Sequence, residues 1–171
     1  NDKEAVDYGR KYIVIAYFIS LGVIIILFLT IWFTVLRPFE KLERFAGELA
    51  SAKADDEAID RLRFINNVMR QAVVNNDIST ITEQDVEFHE KITEIADNTH
   101  LRAMLDQIKE HLYRYRLEFI KELDDRSVLV EEHDRIIAAI AEGDAKGAGR
   151  EIEKHIEHQE IYVLNSLEQS L

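Results

Sequence analysis

Histidine is the residue of this 171-residue sequence that offers the most chemistry, and it occurs six times. Its imidazole ring titrates near neutral pH and is a common ligand of transition metals. Asp85 and His89 are four residues apart, a spacing that puts both side chains on one face of a helix. Cysteine is absent, so we expect a transition metal to be held by imidazole nitrogens and carboxylate oxygens.

The helix face that carries Asp85 and His89 is otherwise apolar, which points this pair at a protein core. Its apolar members are Val86, Phe88, Ile92, Ile95 and Ala96. His133 and His155 also lie on apolar stripes. The neighbours that define these stripes are Leu129, Ile136 and Ile140 around His133, and Ile152 and Ile156 around His155. We therefore predict that these four polar side chains, from three helices, converge in a mostly apolar interior.

A buried carboxylate needs a partner, because an uncompensated charge in an apolar interior costs on the order of several kcal/mol. A divalent cation supplies this compensation directly. Three imidazoles and one carboxylate suit Zn²⁺ best, with Ni²⁺, Mn²⁺ and Fe²⁺ as alternatives. We predict a metal site made of Asp85, His89, His133 and His155. The simpler alternative is that each histidine is an ordinary core residue and that Asp85 and His89 form a surface ion pair.

The other three histidines show no such pattern. His100 follows a helix-ending segment and is expected in a loop, whereas His111 and His158 have polar neighbours and are expected at the surface.

After Pro38 the apolar residues repeat at the helical period, and no strand-like alternation lasts more than a few residues. The pattern predicts an all-α fold, an antiparallel bundle of about six helices joined by short loops. The predicted helices cover about residues 38–50, 59–74, 80–96, 101–123, 127–141 and 145–171. The third is expected to begin at a capping box, made by Thr82 with Asp85 or by Thr80 with Glu83. The predicted apolar stripe of the first helix is Leu42, Phe45, Ala46, Leu49 and Ala50.

Residues 12–36 form a stretch of 25 residues without a charge. At about 1.5 Å per residue, a helix of this length exceeds the roughly 30 Å thickness of bilayer hydrocarbon. The stretch predicts a single-pass transmembrane helix over residues 12–36, with residues 1–11 as an N-terminal flank and residues 37–171 as the bundle. The alternatives are a buried core helix, which seldom needs so many apolar residues in a row, and a signal peptide, which has a shorter apolar part.

The net charge lies entirely outside the first 36 residues. Residues 37–171 contain 30 acidic and 18 basic side chains, which accounts for the net charge of −12. An acidic domain repels the phosphates of nucleic acids, so this chain is not expected to contact nucleic acid directly. Basic residues flank the predicted membrane helix equally on both sides, so the positive-inside rule does not orient it.

Three motifs surround these histidines: D-x-x-F-H-x-x-I from Asp85, A-D-N-x-x-L from Ala96, and E-H-D-R-I-I-A-A-I-A-E-G-D-A from Glu132. Together with His155 they resemble the FCD domain, the effector-binding half of GntR-type transcription regulators of the FadR subfamily. The resemblance covers about residues 40–168. It implies a metal in the bundle centre, held by the D-x-x-x-H pair and two later histidines, which here are Asp85, His89, His133 and His155.

The same resemblance implies a ligand and a partner. In such domains a small carboxylate metabolite commonly completes the metal coordination, helped by cationic residues, for which Arg102, Arg114 and Arg116 are the candidates. A homodimer is a further implication. The family carries a winged-helix DNA-binding domain ahead of the bundle, where this sequence has its predicted membrane helix.

A second resemblance concerns the segment after residue 36. R-P-F-E-K-L at Arg37–Leu42, followed by Leu62, Asn67 and Met69, is similar to the HAMP linker of bacterial membrane receptors. It would place residues 37–171 in the cytoplasm.

Our leading hypothesis is a membrane-anchored sensory domain without enzymatic activity. It would bind a divalent metal and a small organic acid, and would signal to a partner or through the membrane helix. The second hypothesis is an HD-type metal-dependent phosphohydrolase, suggested by the dipeptide His133-Asp134, although Asp134 should face away from the stripe that holds His133. The third is the effector domain of a transcription regulator whose DNA-binding part is absent, and the fourth is that the predicted span and the bundle have no joint function.

Overall fold

The computed structural model describes residues 16–24, 26 and 37–169 of a chain that divides into two compact units, Asn1–Pro38 and Phe39–Leu171. Within the first unit, residues 16–24 and 26 are helical. Most of the predicted transmembrane helix, residues 12–36, lies outside the described residues. Each helix in the described part of the chain is too short or too polar to cross a membrane. The structure therefore does not support the prediction of a membrane helix.

Residues 37–169 form seven α-helices, and this part of the chain contains no strand. In chain order the helices are α1 (Arg37–Ser51), α2 (Asp56–Val74), α3 (Ile78–Ile95), α4 (Thr99–Asp106), α5 (Lys109–Glu122), α6 (Ser127–Ala141) and α7 (Ala145–Gln169). The prediction of an all-helical bundle is confirmed.

A short polar side chain caps α3, the helix that carries Asp85 and His89. The Asp77 carboxylate accepts a hydrogen bond from the backbone N–H of Thr80 (3.2 Å), so α3 is capped at Asp77. The prediction of a capping box at Thr80 or Thr82 is therefore wrong. The Asp85 carboxylate, which one version of that box would have used, is instead fully buried.

The single helix predicted over residues 101–123 is two helices, because the chain turns between α4 and α5 at Gln107 and Ile108. The N–H of Ile108 donates to the carbonyl of Leu105 (3.1 Å), a bond over three residues that tightens the turn. Leu101 and Leu105 of α4 and Leu112 of α5 pack in one apolar cluster, whereas Phe119 and Ile120, later in α5, lie in the other.

Five of the helices close into a ring. α2 packs against α3 and α6, α3 packs against α5, and α7 packs against both α5 and α6. The buried residues of α1 include Phe39, Glu43, Ala46 and Ala50, whereas Phe45 is 44% exposed. The predicted stripe of α1 is thus rotated, and the rotation brings the Glu43 carboxylate inward.

Candidate metal centre

The four polar side chains that were predicted to converge do so inside the ring of helices. Asp85 and His89 come from α3, His133 from α6 and His155 from α7. Each of the four residues is at most 4% exposed. One imidazole nitrogen or carboxylate oxygen from each lies within 4.8 Å of the chosen atom of every other. The structure thus places three imidazoles and one carboxylate around one small interior volume.

The separations between these atoms match those of ligands on a single ion. Nε2 of His89 is 3.2 Å from Nε2 of His155, and Nε2 of His133 is 3.3 Å from Oδ1 of Asp85. Nε2 of His155 is 3.8 Å from the same Oδ1. With bonds of about 2.1 Å, adjacent ligands lie about 3.0 Å apart in octahedral geometry and about 3.4 Å apart in tetrahedral geometry. The arrangement fits a transition metal after small adjustments.

Two carboxylates outside this group determine which ring nitrogens face the centre. Nδ1 of His89 contacts Oε2 of Glu43, and Nδ1 of His155 is 2.7 Å from Oε2 of Glu132. An ionised carboxylate only accepts, so each Nδ1 carries a proton and the Nε2 atom of each ring faces the centre. These two Nε2 atoms are 3.2 Å apart, so a proton or a metal ion between them would satisfy both.

Other polar atoms at the centre also lack partners. Oδ1 of Asp85 and both ring nitrogens of His133 are buried, and apart from the 3.3 Å contact between Oδ1 and Nε2 they have no partner within the described part of the chain. Leaving a buried polar atom unsatisfied costs about 1–3 kcal/mol. A metal ion coordinated by Oδ1 of Asp85 and Nε2 of His133 would satisfy both atoms.

Arg116 of α5 pairs with two buried carboxylates and compensates one of their two negative charges. Its Nη1 donates to Oδ2 of Asp85 (3.0 Å) and to the Asp85 backbone carbonyl (3.2 Å), and its Nη2 donates to Oε1 of Glu43 (3.2 Å). Burial opposes ionisation of Asp85, but the guanidinium and the neighbouring imidazoles outweigh it and hold the pKa of Asp85 well below its usual range. Both carboxylates are therefore anionic at neutral pH.

His133 is held by stacking rather than by a carboxylate. Its ring lies on the ring of Phe88, with the centroids 3.8 Å apart and the planes at 9°. Burial lowers the pKa of His133 to about 4 and also lowers the pKa of His89. These imidazoles are thus neutral at pH 7, which is the form that binds a metal.

Three side chains that contact histidines of the cluster were not predicted from the sequence, namely Glu43, Glu132 and Gln159. A signal existed for Glu43, which shares a helical repeat with Phe39, Ala46 and Ala50. Glu132 had only its position beside His133. Gln159, which is fully buried, lies one helical turn after His155.

The other three histidines and Asp134 lie outside the cluster. His100 and His111 are exposed, as predicted for His111, but His100 lies in the first turn of α4 rather than in a loop. His158 is only partly exposed, and its Nδ1 is 3.0 Å from Oε1 of Glu132. Asp134 faces away from the cluster, as expected, because its carboxylate contacts Arg70 and Asn66, each at 2.7 Å.

A cavity of about 350 Å³ adjoins the cluster. His89, Glu43 and Arg116 line it on the side of the cluster, and Arg102 and Lys109 are among the residues that line the rest. Of the three arginines predicted to bind an effector, Arg102 and Arg116 thus line this cavity. Arg114 is exposed and is not part of its wall.

The comparisons with known proteins agree with this architecture. The family model of the FCD domain matches residues 36–158. Escherichia coli McbR/YncC has a similar structure, with a TM-score of 0.68 and 18% identity over 77% of this chain and 62% of that one. GntR of Streptococcus agalactiae gives a TM-score of 0.60 and 24% identity over 77% of this chain and 56% of that one. This chain therefore spans about three fifths of the length of these two proteins. No curated protein sequence matches it.

Proposed function

The chain belongs to the FCD domain family, and from this premise we propose that its bundle is an effector-binding domain that contains a divalent transition metal. Asp85, His89, His133 and His155 would hold the ion. The observation that carries the proposal is the convergence of Nε2 of His89 and Nε2 of His155, 3.2 Å apart, on Oδ1 of Asp85, which has no hydrogen bond in the described part of the chain. Zn²⁺ is the first candidate by ligand type, with Ni²⁺, Mn²⁺ and Fe²⁺ as alternatives.

We propose a small organic acid as the effector, bound in the cavity beside the metal. His89 belongs both to the metal cluster and to the cavity wall, so a carboxylate in the cavity could reach an open coordination position. Arg116 already pairs with Asp85 and Glu43, whereas the exposed Arg102 side chain makes no ion pair with the described residues. Arg102 is therefore the cation that we expect to attract the effector.

Binding rather than turnover is the proposed role. Asp134, which an HD-type hydrolase would need as a ligand, is 51% exposed and pairs with Arg70 (2.7 Å). In regulators of the GntR type the FCD domain responds to small molecules, so occupancy of this site would select one packing of the bundle and report it to a partner or to a further segment. We expect no hydrolysis of phosphoesters by the metal-loaded protein.

Metal titration of the full chain, purified without a histidine tag and treated with EDTA, tests the proposal. We expect one Zn²⁺ per chain by calorimetry and a melting temperature about 5–10 °C higher when free Zn²⁺ is about 100 times Kd. His133→Ala and His155→Ala should abolish both effects. The exposed His111→Ala should retain both, and an equal loss in that variant would show that the ligand set is wrong.

Citrate, as a probe carboxylate, tests the effector site separately. It should raise the melting temperature of the Zn²⁺-loaded protein and should do so much less in Arg102→Ala, because that variant loses a cation of the cavity wall. An identical response of the metal-free protein would contradict a carboxylate bound to the metal.

A further inference from the structure

Gln159 carries an unexplained polar group in the interior. It lies one helical turn after His155 on α7, so both side chains point to the same side. The residue is 0% exposed, its Nε2 is 2.9 Å from Nε2 of His155, and its Oε1 is buried without a hydrogen-bond partner in the described part of the chain. A buried amide oxygen of this kind costs about 1–3 kcal/mol and needs a donor or a cation.

A bound metal would change the contact between the Gln159 amide and His155. Because Nδ1 of His155 faces the Glu132 carboxylate, its Nε2 is an acceptor, and the Gln159 amide donates to it at 2.9 Å. A metal bound to that lone pair would leave the amide N–H facing a cation. A half-turn of the amide exchanges its nitrogen and oxygen at nearly the same positions. It would place Oε1 about 3 Å from Nε2 of His155, the separation of adjacent octahedral ligands.

We propose that Oε1 of Gln159 is a fifth protein ligand of the metal, an inference that rests on the metal-binding role proposed above. Together with Asp85, His89, His133 and His155 it gives three nitrogen and two oxygen donors. Five protein ligands leave one position of an octahedron for an effector oxygen. Such a set favours ions that accept six ligands, Ni²⁺, Mn²⁺ and Fe²⁺, over tetrahedral Zn²⁺.

Metal affinities of matched variants test this assignment. In the EDTA-treated full chain, Gln159→Leu should weaken Ni²⁺ binding by about tenfold or more, the smallest loss typical of a changed metal site. Gln159→Glu, which keeps an oxygen at the same distance along the side chain, should retain Ni²⁺ binding. Gln71→Leu is the control, because Gln71 is an exposed glutamine on α2. The loss of metal affinity caused by Gln159→Leu should be smaller for Zn²⁺ than for Ni²⁺, since a tetrahedral ion needs only four ligands.

A purely structural role makes the opposite prediction. If Gln159 only donates to His155 in the metal-free protein, Gln159→Leu would lower the metal-free melting temperature and leave the Ni²⁺ affinity equal or higher, and the proposal would be wrong. A wild-type protein that binds neither Ni²⁺ nor Zn²⁺ would overturn both this assignment and the metal role itself. Normal binding by the wild type with unchanged binding by Gln159→Leu would overturn this assignment alone.

A crystal structure of the Ni²⁺-loaded wild-type protein decides the question even if Gln159→Leu does not fold. We expect the Gln159 side-chain oxygen at about 2.1 Å from the ion. An amide more than about 3 Å from the ion would overturn the proposal.

Discussion

Glu43 and Glu132 contact histidines of the cluster on the ring nitrogen that faces away from its centre. Each carboxylate contacts Nδ1 of one histidine, Glu43 that of His89 and Glu132 that of His155. Such partners orient the ring, set its tautomer and raise the basicity of the nitrogen that binds the metal. The two residues therefore belong to the candidate metal centre although neither is among the four proposed ligands.

The contribution of Glu132 can be measured by substitution. Glu132→Gln keeps a carbonyl oxygen for the His155 Nδ1–H but removes the negative charge, so we expect Zn²⁺ affinity to fall about 10–100-fold. Glu131→Gln, at the exposed neighbouring position, should leave the affinity unchanged. Equal affinities of the two variants would show that Glu132 does not support the ligand.

Protonation of the buried histidines predicts how the stability of the metal-free protein depends on pH. Burial lowers the pKa of His133 to about 4 in the folded protein from 6.5 for an exposed histidine, so between these values the unfolded chain binds the proton that the folded protein excludes. Stability is therefore fully present above about pH 6.5 and falls as the pH decreases toward 4, by roughly 3 kcal/mol for this group. His89 shifts in the same direction and adds to the loss.

Urea unfolding in EDTA at pH 7, 6 and 5 measures this loss. His133→Gln should show a shallower decline than the wild type, because a glutamine does not titrate. A wild-type free energy of unfolding that stayed constant from pH 7 to pH 5 would contradict a buried neutral His133.

The four converging residues were predictable because each lies on an apolar stripe of its own helix, a property of local spacing. Glu43, Glu132 and Gln159 were not, since their roles depend on contacts between helices, such as the contact of Glu43 on α1 with His89 on α3. Periodicity reports which face is buried but not which residue of another helix lies opposite.

At the level of helices, predicted helix ends agree with the structure where glycine or short polar residues form the turn. The predicted ends of the second helix at residue 74 and of the fifth at residue 141 hold, since Asn75-Asn76-Asp77 follows α2 and Gly143 follows α6. The break between α4 and α5 carries neither glycine nor proline, and its turn residues are Gln107 and Ile108. Local patterns do not predict a turn that lacks such residues.

Gly143 follows the C-terminal end of α6, and its substitution tests how the backbone conformation there contributes to stability. Its φ is +70°, in the left-handed region, and the nearest atom to an added Cβ would be the Ser51 carbonyl oxygen at 3.8 Å. Gly143→Ala therefore meets no steric clash, and its cost of about 1 kcal/mol would come from the backbone conformation alone. Gly143→Asn should cost less, because asparagine tolerates this region. Urea unfolding that gave equal stabilities for Gly143→Ala and wild type would contradict this account.

At the level of the whole molecule, the ring of helices combines a charged interior with a strongly acidic chain. In the interior Arg116 pairs with both Asp85 and Glu43, which leaves one negative charge uncompensated there. Most of the acidic side chains lie outside this interior group, and their negative charge disfavours direct binding to nucleic acid and attracts cations. Dimer formation remains a prediction of the family resemblance, and light scattering after size-exclusion chromatography would measure it.

Membrane association remains a prediction of the uncharged stretch over residues 12–36. In the first unit the described helical residues expose large apolar side chains, with Ile24 at 60% and Ile26 at 65%. Such side chains need an apolar environment, either lipid or another protein. An arginine at the centre of a membrane helix costs about 2.5–3.5 kcal/mol on insertion scales, so Ile24→Arg combined with Ile26→Arg should prevent insertion. We expect the wild-type chain to stay in the membrane pellet after a carbonate wash and the double variant to be released. A wild-type chain that appears in the supernatant after the carbonate wash would contradict the prediction, because alkaline buffer does not release a spanning helix.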